Sequence, residues 1–335
     1  MAAAPVGIIA NPASGKDIRR LVAHASVFDN GEKRNILRRV LLGAVAAGAD
    51  RFLYMPDPNH LVEGAVDGID LEAAVEQVEI AGTASALDTE QAAAAMRAAG
   101  CAVVITLGGD GTNRAAVRGW RDIPLVAIST GTNNVFPVMV EGTLAGAAAG
   151  LVASGAIEIE EASAPAKRIR VEIADEKEDL ALIDAVLLDE RWVGSRAVWQ
   201  PERLREVLLA RAEPAAVGLS ALGGLLHPVR ARDDCGLLVR VGSGGRVVTA
   251  PIVPGSYMDI PIASHRSLEL EELVQWTGPG VIAFDGERER RLRNGQRAWL
   301  SIHRDGPRVV DIERTMRLAA CRQTFVHELE AADGN

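Results

Sequence analysis

Cysteine is scarce: Cys101, Cys235 and Cys321 are odd in number, far apart and without metal-ligand spacing. That excludes a disulfide scaffold and leaves free thiols, as expected in a reducing cytoplasm. Positive charge is short as well. Against 45 Asp and Glu stand 36 Lys and Arg, a net charge of -9, which argues against a nucleic-acid partner and a basic membrane-binding face. No long hydrophobic run is present either. The most apolar windows, near Ala92–Leu107 and Leu41–Ala49, are interrupted by Arg97 or Gly48 and are too short to span a bilayer. No internal repeat is visible, and Met1–Ala4 lead into Pro5 and a strand-like run, so no signal peptide is expected. What is there is a globular chain, 48% hydrophobic, whose 335 residues fit two domains of ordinary size.

The stretch that organises the rest is Cys101–Arg114, CAVVITLGGDGTNR. An apolar strand runs into Leu107-Gly108-Gly109-Asp110-Gly111-Thr112, and a helical pattern follows. Three glycines within four positions remove Cβ atoms, so the loop can bring its N–H groups close to an anion and adopt positive φ without strain. Asp110 is the acid left among them. A carboxylate where phosphate oxygens could dock implies a cation or a proton transfer; the plain alternative is an αβ turn with a solvated acid. One strand later Ile123–Thr130, IPLVAIST, runs into Gly131-Thr132-Asn133-Asn134-Val135-Phe136-Pro137. Both loops fall at the carboxyl edge of a parallel sheet, where ligands bind. Upstream, the strand Val6–Ala10 ends in Asn11-Pro12-Ala13-Ser14-Gly15-Lys16-Asp17. With a helix expected from about Asp17, Ser14, Gly15 and Lys16 lie at its N-terminus, where unpaired amides favour a phosphate. The GxxxxGK[ST] spacing is missing, so this is not a Walker A loop, and a capped turn with Lys16 in solvent is the alternative.

Elsewhere in the first half, His24 and Asp29 line a site or cap the next helix, Lys33–Gly48, whose apolar residues share one face. A strand at Arg51–Met55, loop and helix over Gly64–Val75, a strand at Gln77–Ile80 and a helix over Asp88–Ala99 capped by Gly100 complete an alternation typical of a doubly wound, mostly parallel sheet. After Gly155 the alternation fails. Ile157–Glu161, Arg168–Ile173 and Leu180–Leu188 read as strands with one wet face, Gly236–Thr249 as a hairpin turning at Gly242–Gly245, and Gly280–Phe284, Arg297–His303 and Val309–Ile312 as further strands. Pro201–Arg211 reads as an amphipathic helix and Met316–Ala332 as a last one. The expected organisation is an α/β nucleotide-binding domain over 1–155, a β-rich domain over 156–313 and a C-terminal helical segment over 314–335 that packs back on the first domain. Two acidic elements fall in the second domain. Asp189-Glu190 end an apolar strand, from which adjacent side chains point to opposite faces; Asp285-Gly286-Glu287 follow VIAF, where a hairpin turn is the alternative.

NPASG, GGDGTNR, STGTNNVFP, the acid pair and DGE, in that order over nearly the whole chain, resemble the superfamily of NAD kinases, diacylglycerol kinases and sphingosine kinases. They look most like its branch of ATP-NAD kinases of the acetoin-catabolism X type. The resemblance implies an α/β N-terminal domain plus a β-rich C-terminal one. It implies an ATP-dependent kinase acting on a hydroxyl of NAD or a related nucleotide, with ATP and Mg²⁺ as cofactors and small nucleotides as partners; a homo-oligomer is left open. Carried over residue by residue, Asn11, Ser14, Gly15, Lys16, Gly108, Gly109, Gly111, Thr112, Asn113, Thr130, Gly131, Thr132, Asn133 and Asn134 would bind nucleotide. Either Asp110 or Glu287 would be the base. Asp189, Glu190 and Asp285 would bind the acceptor, although Asp189 stands where NAD kinases carry Asn, and so lacks the amide's donor. No carboxylate cluster resembles a metal cage, so the ion would sit mainly on the phosphates. The TPTGSTAY-like stretch of NAD kinases is not recognisable; Thr249–Tyr257, TAPIVPGSY, stands in its neighbourhood. That departure, DGE and the apolar run Val217–Leu226, which lines an acyl pocket or packs as core, the commoner outcome, favour a second reading, a kinase of a lipid or a small catabolic alcohol. A third is a non-catalytic nucleotide-binding regulator of a catabolic operon.

Overall fold

A computed structural model of the chain describes residues 3–14, 29–131, 133–190 and 201–326. β1 (Val6–Ala10), α1 (Asn30–Ala46), β2 (Arg51–Tyr54), α2 (Leu61–Val66), β3 (Ala74–Gln77), α3 (Ala86–Ala98), β4 (Val103–Gly108), α4 (Asp110–Gly119), β5 (Pro124–Ser129) and α5 (Gly142–Ala153) alternate as the pattern requires. The five strands run parallel in the order β3-β2-β1-β4-β5. β1, β4 and β5 are near-continuous apolar runs because helices cover both faces, α1, α2 and α5 on one side and α3 and α4 on the other. Strand order turns back between β1 and β4, so the loops that leave these neighbours diverge and open a crevice. Asp29 caps α1, its carboxylate accepting from Glu32 N at 2.7 Å. The helix expected from Asp17, and His24, lie outside the described residues.

The second half continues with α6 (Ile159–Ala162), β6 (Ser163–Pro165), β7 (Arg168–Ile173), β8 (Asp179–Ala181), β9 (Asp184–Leu188), β10 (Leu204–Leu209), α7 (Leu219–Leu226), β11 (Cys235–Val253), β12 (Ser256–Glu269), β13 (Val274–Thr277), β14 (Gly280–Phe284), β15 (Glu287–Leu292), β16 (Arg297–His303), β17 (Arg308–Val310) and α8 (Ile312–Cys321). Two antiparallel sheets, β12-β11-β10-β9-β14-β15 and β13-β16-β7-β8, pack over a shared core that includes Leu187, Leu208, Trp276 and Leu300, and α7 covers the other face of the larger one. β6 and β17 leave this domain and extend the first sheet beyond β5, with α8 packed against α5 and α6. The β-rich domain is therefore an insertion in the first. No helix among the described residues is long and apolar enough to cross a membrane.

Several local readings change. Pro201–Arg211 is not a helix: one 3₁₀ turn (Pro201–Arg203) leads into β10, which pairs with both β9 and β11. Its leucines and valine suit either period, and two flanking strands needing a partner decide. Ile157–Glu161 runs into the short helix α6 instead of forming a strand, and the strand expected at Gln77–Ile80 is β3, three residues earlier. Gly242–Gly245 form a bulge inside β11, where Val241 and Arg246 both oppose Ile262. A Cβ on Gly245 would lie 2.0 Å from the Ile262 carbonyl oxygen, and the hairpin actually turns at Pro254-Gly255, with Gly255 at φ +76°. Leu180–Leu188 splits into β8 and β9 because the Leu182, Ile183 and Asp184 amides bond a side chain, Asp285. The last helix begins at Ile312 and is described to Cys321.

α1 and α5 approach unusually closely along one stripe. Gly142, Gly146 and Gly150 recur every fourth residue, on one face of α5, and a Cβ on Gly146 would lie 2.0 Å from the Val40 carbonyl oxygen. Alanine would gain about 1 kcal/mol of helix propensity. The clash is with backbone, which cannot rotate away, so overpacking of about 1–3 kcal/mol outweighs that gain. Gly146→Ala is expected to lower stability in urea unfolding, while Gly82→Ala, where a Cβ meets open space, should be close to neutral. Equal effects at the two positions would show that the stripe is not tight.

Candidate active site

β4 passes into α4 through a single residue, Gly109, which caps the helix, so Asp110 is its first residue and sits at the positive end of the helix dipole. Gly108, Gly109 and Gly111 do not take positive φ, contrary to expectation. Two of them are needed for close packing: a Cβ on Gly108 would lie 2.5 Å from Thr112 Oγ1 and one on Gly109 2.9 Å from Asn134 Oδ1. Thr106 donates to Asn113 Oδ1 at 2.7 Å, and Asn113 Nδ2 donates to Gly109 O at 2.9 Å, which pins the turn from behind. The Asp110 carboxylate accepts from Val135 N at 3.1 Å and Phe136 N at 2.8 Å, tying the turn to the loop after β5. Asn11 Nδ2 donates to Thr112 Oγ1 at 2.9 Å and Thr130 Oγ1 to Ser14 Oγ at 3.0 Å, so the loops after β1, β4 and β5 form one edge. The buried Lys33 ammonium holds the first of these loops, donating to the carbonyls of Asn11, Pro12 and Ser14.

The second domain closes the crevice into a cleft of about 870 Å³. Asp285-Gly286 is indeed a two-residue turn between β14 and β15, with both residues at positive φ (48° and 81°). It is also part of the cleft: its carboxylate accepts from Leu182, Ile183 and Asp184 amides at 2.8–3.3 Å. Glu287 follows, its Oε1 3.7 Å from where a Gly111 Cβ would stand. Burial pushes the Asp110 carboxyl up to about 6, with the Asp285 charge adding to the effect and the Phe136 and Val135 amides and Arg211 opposing it. Asp285 is also raised, by burial, against the pull of Arg114 and its three amides. Arg114, on α4, crosses the seam: it stacks 4.7 Å over the Phe284 ring and donates to Leu180 O at 2.6 Å, Glu289 at 2.7 Å and Asp179 at 3.1 Å. Asp179 in turn receives Arg290 and lies close to Arg118. Burial alone would raise its pKa, but the three guanidiniums and Leu180 N hold it low.

Of the residues singled out in the sequence, Asn11, Ser14, Gly109, Asp110, Gly111, Thr112, Asn133, Asn134, Asp285 and Glu287 line this cleft. Gly108, Asn113, Thr130 and Gly131 lie buried behind its wall and act on its shape. Gly15, Lys16 and Thr132 lie outside the described residues. Asp189 and Glu190 are not brought in: they follow the far end of β9, where Asp189 N bonds Arg203 O and Glu190 approaches Arg203. The acid that β9 does send to the cleft is Asp184, at its first residue. It opens a buried strand instead of closing it, so no apolar run precedes it in the sequence to mark it as a strand-end acid. Arg114 stands inside the GGDGTNR motif, but its partners lie 65 and 175 residues away and nothing local announces them.

A parallel α/β domain with its crevice at the switch point, closed by an inserted antiparallel domain, is the architecture of the NAD kinases. The ATP-NAD kinase N-terminal domain matches residues 6–157, and the acetoin catabolism protein X C-terminal domain matches 167–305. A yeast NADH kinase crystallised with NADH shares the fold, with a TM-score of 0.55 over 99% of this chain and 91% of that one, at 14% identity. Acetoin catabolism protein X of Cupriavidus necator is 38% identical over 333 residues, 94% of this chain and 92% of that protein. The chain belongs to the acetoin catabolism protein X family.

The raised Asp110 pKa has a consequence for stability. The folded chain holds this proton more tightly than the unfolded chain, so between about pH 4 and 6 the native state binds more protons and stability falls as pH rises through that window. Asp285 slopes the same way in any variant that keeps it. Asp110→Asn removes the first contribution: in urea unfolding, its stability relative to wild type should rise from pH 4 to pH 7. A difference that does not change with pH would contradict the raised pKa.

Proposed function

We propose that the protein is an ATP-dependent phosphotransferase that moves the γ-phosphoryl group to an alcohol, the acceptor being NAD or a related nucleotide, in the cytoplasm. The observation that carries this reading is Asp110: a carboxylate at a helix N-terminus, facing an interdomain cleft, with a pKa of about 6. Such a group is ionised near neutrality yet basic enough to take a hydroxyl proton as the phosphoryl group arrives. The open N-terminal amides of α4, with Asn11, Ser14 and Asn134, suit the phosphates; Asp285, Glu287 and Asp184 suit hydroxyls of the acceptor. Among the described residues no group of three or more His, Cys, Asp or Glu is placed to hold a metal. In this reading the Mg²⁺ comes with the substrate, as counter-ion of the triphosphate.

A second reading rests on the apolar wall that Val217, Leu219, Ile252, Val253 and Pro254 give to the second-domain side of the cleft. That wall would accept the hydrocarbon part of a lipid or small catabolic alcohol. Coupled assays with ATP, Mg²⁺ and NAD, NADH, diacylglycerol, sphingoid bases or small polyols separate the two. NADP or NADPH formation supports the first, product only with the others supports the second, and tight ATP binding with no product leaves a nucleotide-binding regulator. In the active pairing, Asp110→Asn should lower turnover about 10²–10⁴-fold, with no loss of melting temperature at pH 8. Glu287→Gln is the matched comparison, and a dead Glu287→Gln beside a near-normal Asp110→Asn would reverse their roles.

A further inference from the structure

Arg211 follows β10, in the second domain, yet its guanidinium lies in the wall of the first. It is 8% exposed, donates from Nη1 to Val135 O at 3.3 Å and stacks 4.7 Å from the centroid of the Phe136 ring. Val135 and Phe136 are the two residues whose amides hold the Asp110 carboxylate. One face of this short segment thus grips Arg211 and the other grips Asp110. Arg211 itself is anchored through its carbonyl, which accepts from Ser220 Oγ at 3.1 Å, and Ser220 lines the cleft. Its Nε is buried with no partner among the described residues, a cost that a merely space-filling side chain would avoid. A neutral side chain of similar length could fill the gap but could neither stack as a cation nor face a carboxylate.

We propose that Arg211 is a positioning residue through which the second domain fixes the aim of the Asp110 carboxylate, by clamping the Val135-Phe136 segment that holds it. Acting through that segment, it does not need to touch substrate. Its charge acts in the same direction. Burial lowers the pKa of Arg211, and Asp110, Glu213 and Asp285 pull it back while Arg304 repels it; Lys167 is a further cation within its field. Asp110 in turn faces Asp285, which opposes its ionisation, and Arg211, which favours it. With Arg211 removed, Asp110 keeps its burial and the repulsion of Asp285 and loses the cation, so its proton is held to higher pH.

The catalytic part of this inference rests on the kinase reading above, so the test needs one readout that does not. Arg211→Gln and Arg211→Lys are made in the full chain, with thermal melts as a check of folding. The Asp110 carboxyl carbon is followed by ¹³C NMR, assigned by its disappearance in Asp110→Asn, and kcat/KM is measured from pH 5 to 9. For Arg211→Gln the Asp110 midpoint should rise by half a pH unit or more above its wild-type value, and the acid limb of the rate profile should move up with it. On the ionised fraction alone kcat/KM should fall about 1.5-fold or more at pH 6.5, and that part of the loss should vanish by pH 9, leaving only the loss that comes from a misaimed carboxylate. Arg211→Lys restores charge without the stacking plane, so its midpoint should lie between the two. An unmoved midpoint and limb, with or without a uniform loss of rate, would overturn the proposal and leave Arg211 a packing residue. If Arg211→Gln does not fold, Arg211→Lys and Phe136→Leu carry the same comparison, and an unmoved midpoint in both is again the overturning result. If wild type phosphorylates no acceptor, the kinase reading fails while the NMR midpoint still decides whether Arg211 controls Asp110.

Discussion

Each domain supplies the cation that the other domain's half-buried carboxylate requires, and the geometry of the cleft depends on this exchange. Asp110 stands on α4 in the first domain, is held by first-domain amides and is faced by Arg211 from the second. Asp285 stands on the β14–β15 turn in the second domain, is held by second-domain amides and is faced by Arg114 from the first. Two acids close enough to repel one another would, without help, take up protons or turn toward water. The amides and the crossed guanidiniums keep both in place, with Asp110 raised only to about 6 instead of being neutral throughout the physiological range. If the domains separated, both acids would lose their cations at once, so the relative placement of the domains and the ionisation of the pair form one equilibrium.

The same seam explains why so much charge is buried where apolar side chains would be cheaper. A buried ion pair is commonly no better for stability than a well-packed hydrophobic replacement, but removing one member costs about 3–5 kcal/mol. Arg114 and Asp179, 5% and 1% exposed at their side chains, are such a pair. With Glu289, Arg118 and Arg290 around them, they weld α4 to β8 and β15 on one flank of the cleft. What that weld secures is position: the helix whose first residue is Asp110 cannot slide against the turn that carries Asp285 and Glu287. Hydrophobic contacts at the same place would tolerate such a shift, because they have no preferred register.

How far the sequence discloses this follows from what is local. β4, its one-residue turn and α4 can be read directly, because an apolar run, glycines and an amphipathic pattern adjoin in the chain, and the loops after β1 and β5 follow from strand order. The glycines themselves carry a different message from the expected one. Their φ is ordinary, and Gly108 and Gly109 are small because Thr112 and Asn134 press on them. β10 could not be separated from a helix, since LREVLL fits both periods and only the neighbouring β9 and β11 choose. The acid pair Asp189-Glu190 ends an apolar strand and resembles the dinucleotide-binding pair of NAD kinases, yet antiparallel strands have no privileged carboxyl edge, and it is the other end of β9, at Asp184, that meets the cleft. Asp285-Gly286 shows that the two readings of a short motif need not compete. The turn is what aims the carboxylate.

The way the second domain is inserted completes the restraint. The chain leaves the first sheet after β6 and returns to it at β17, and these two strands are antiparallel neighbours. The outgoing and returning linkers therefore run side by side, and they bond one another: Ala166 N donates to Pro307 O at 2.8 Å and Gly306 N to Ala166 O at 3.1 Å. Arg168 joins Asp305 at 2.8 Å, Arg304 joins Asp234 at 2.5 Å, and the buried Lys167 ammonium donates to the carbonyls of Arg230 and Cys235. A single linker lets a domain swivel; a cross-bonded pair leaves only a bend about its own line. Any opening of the cleft must then move Arg211 away from Val135-Phe136 and Arg114 away from Asp285 in the same stroke, because both guanidiniums lie across the seam from what they face.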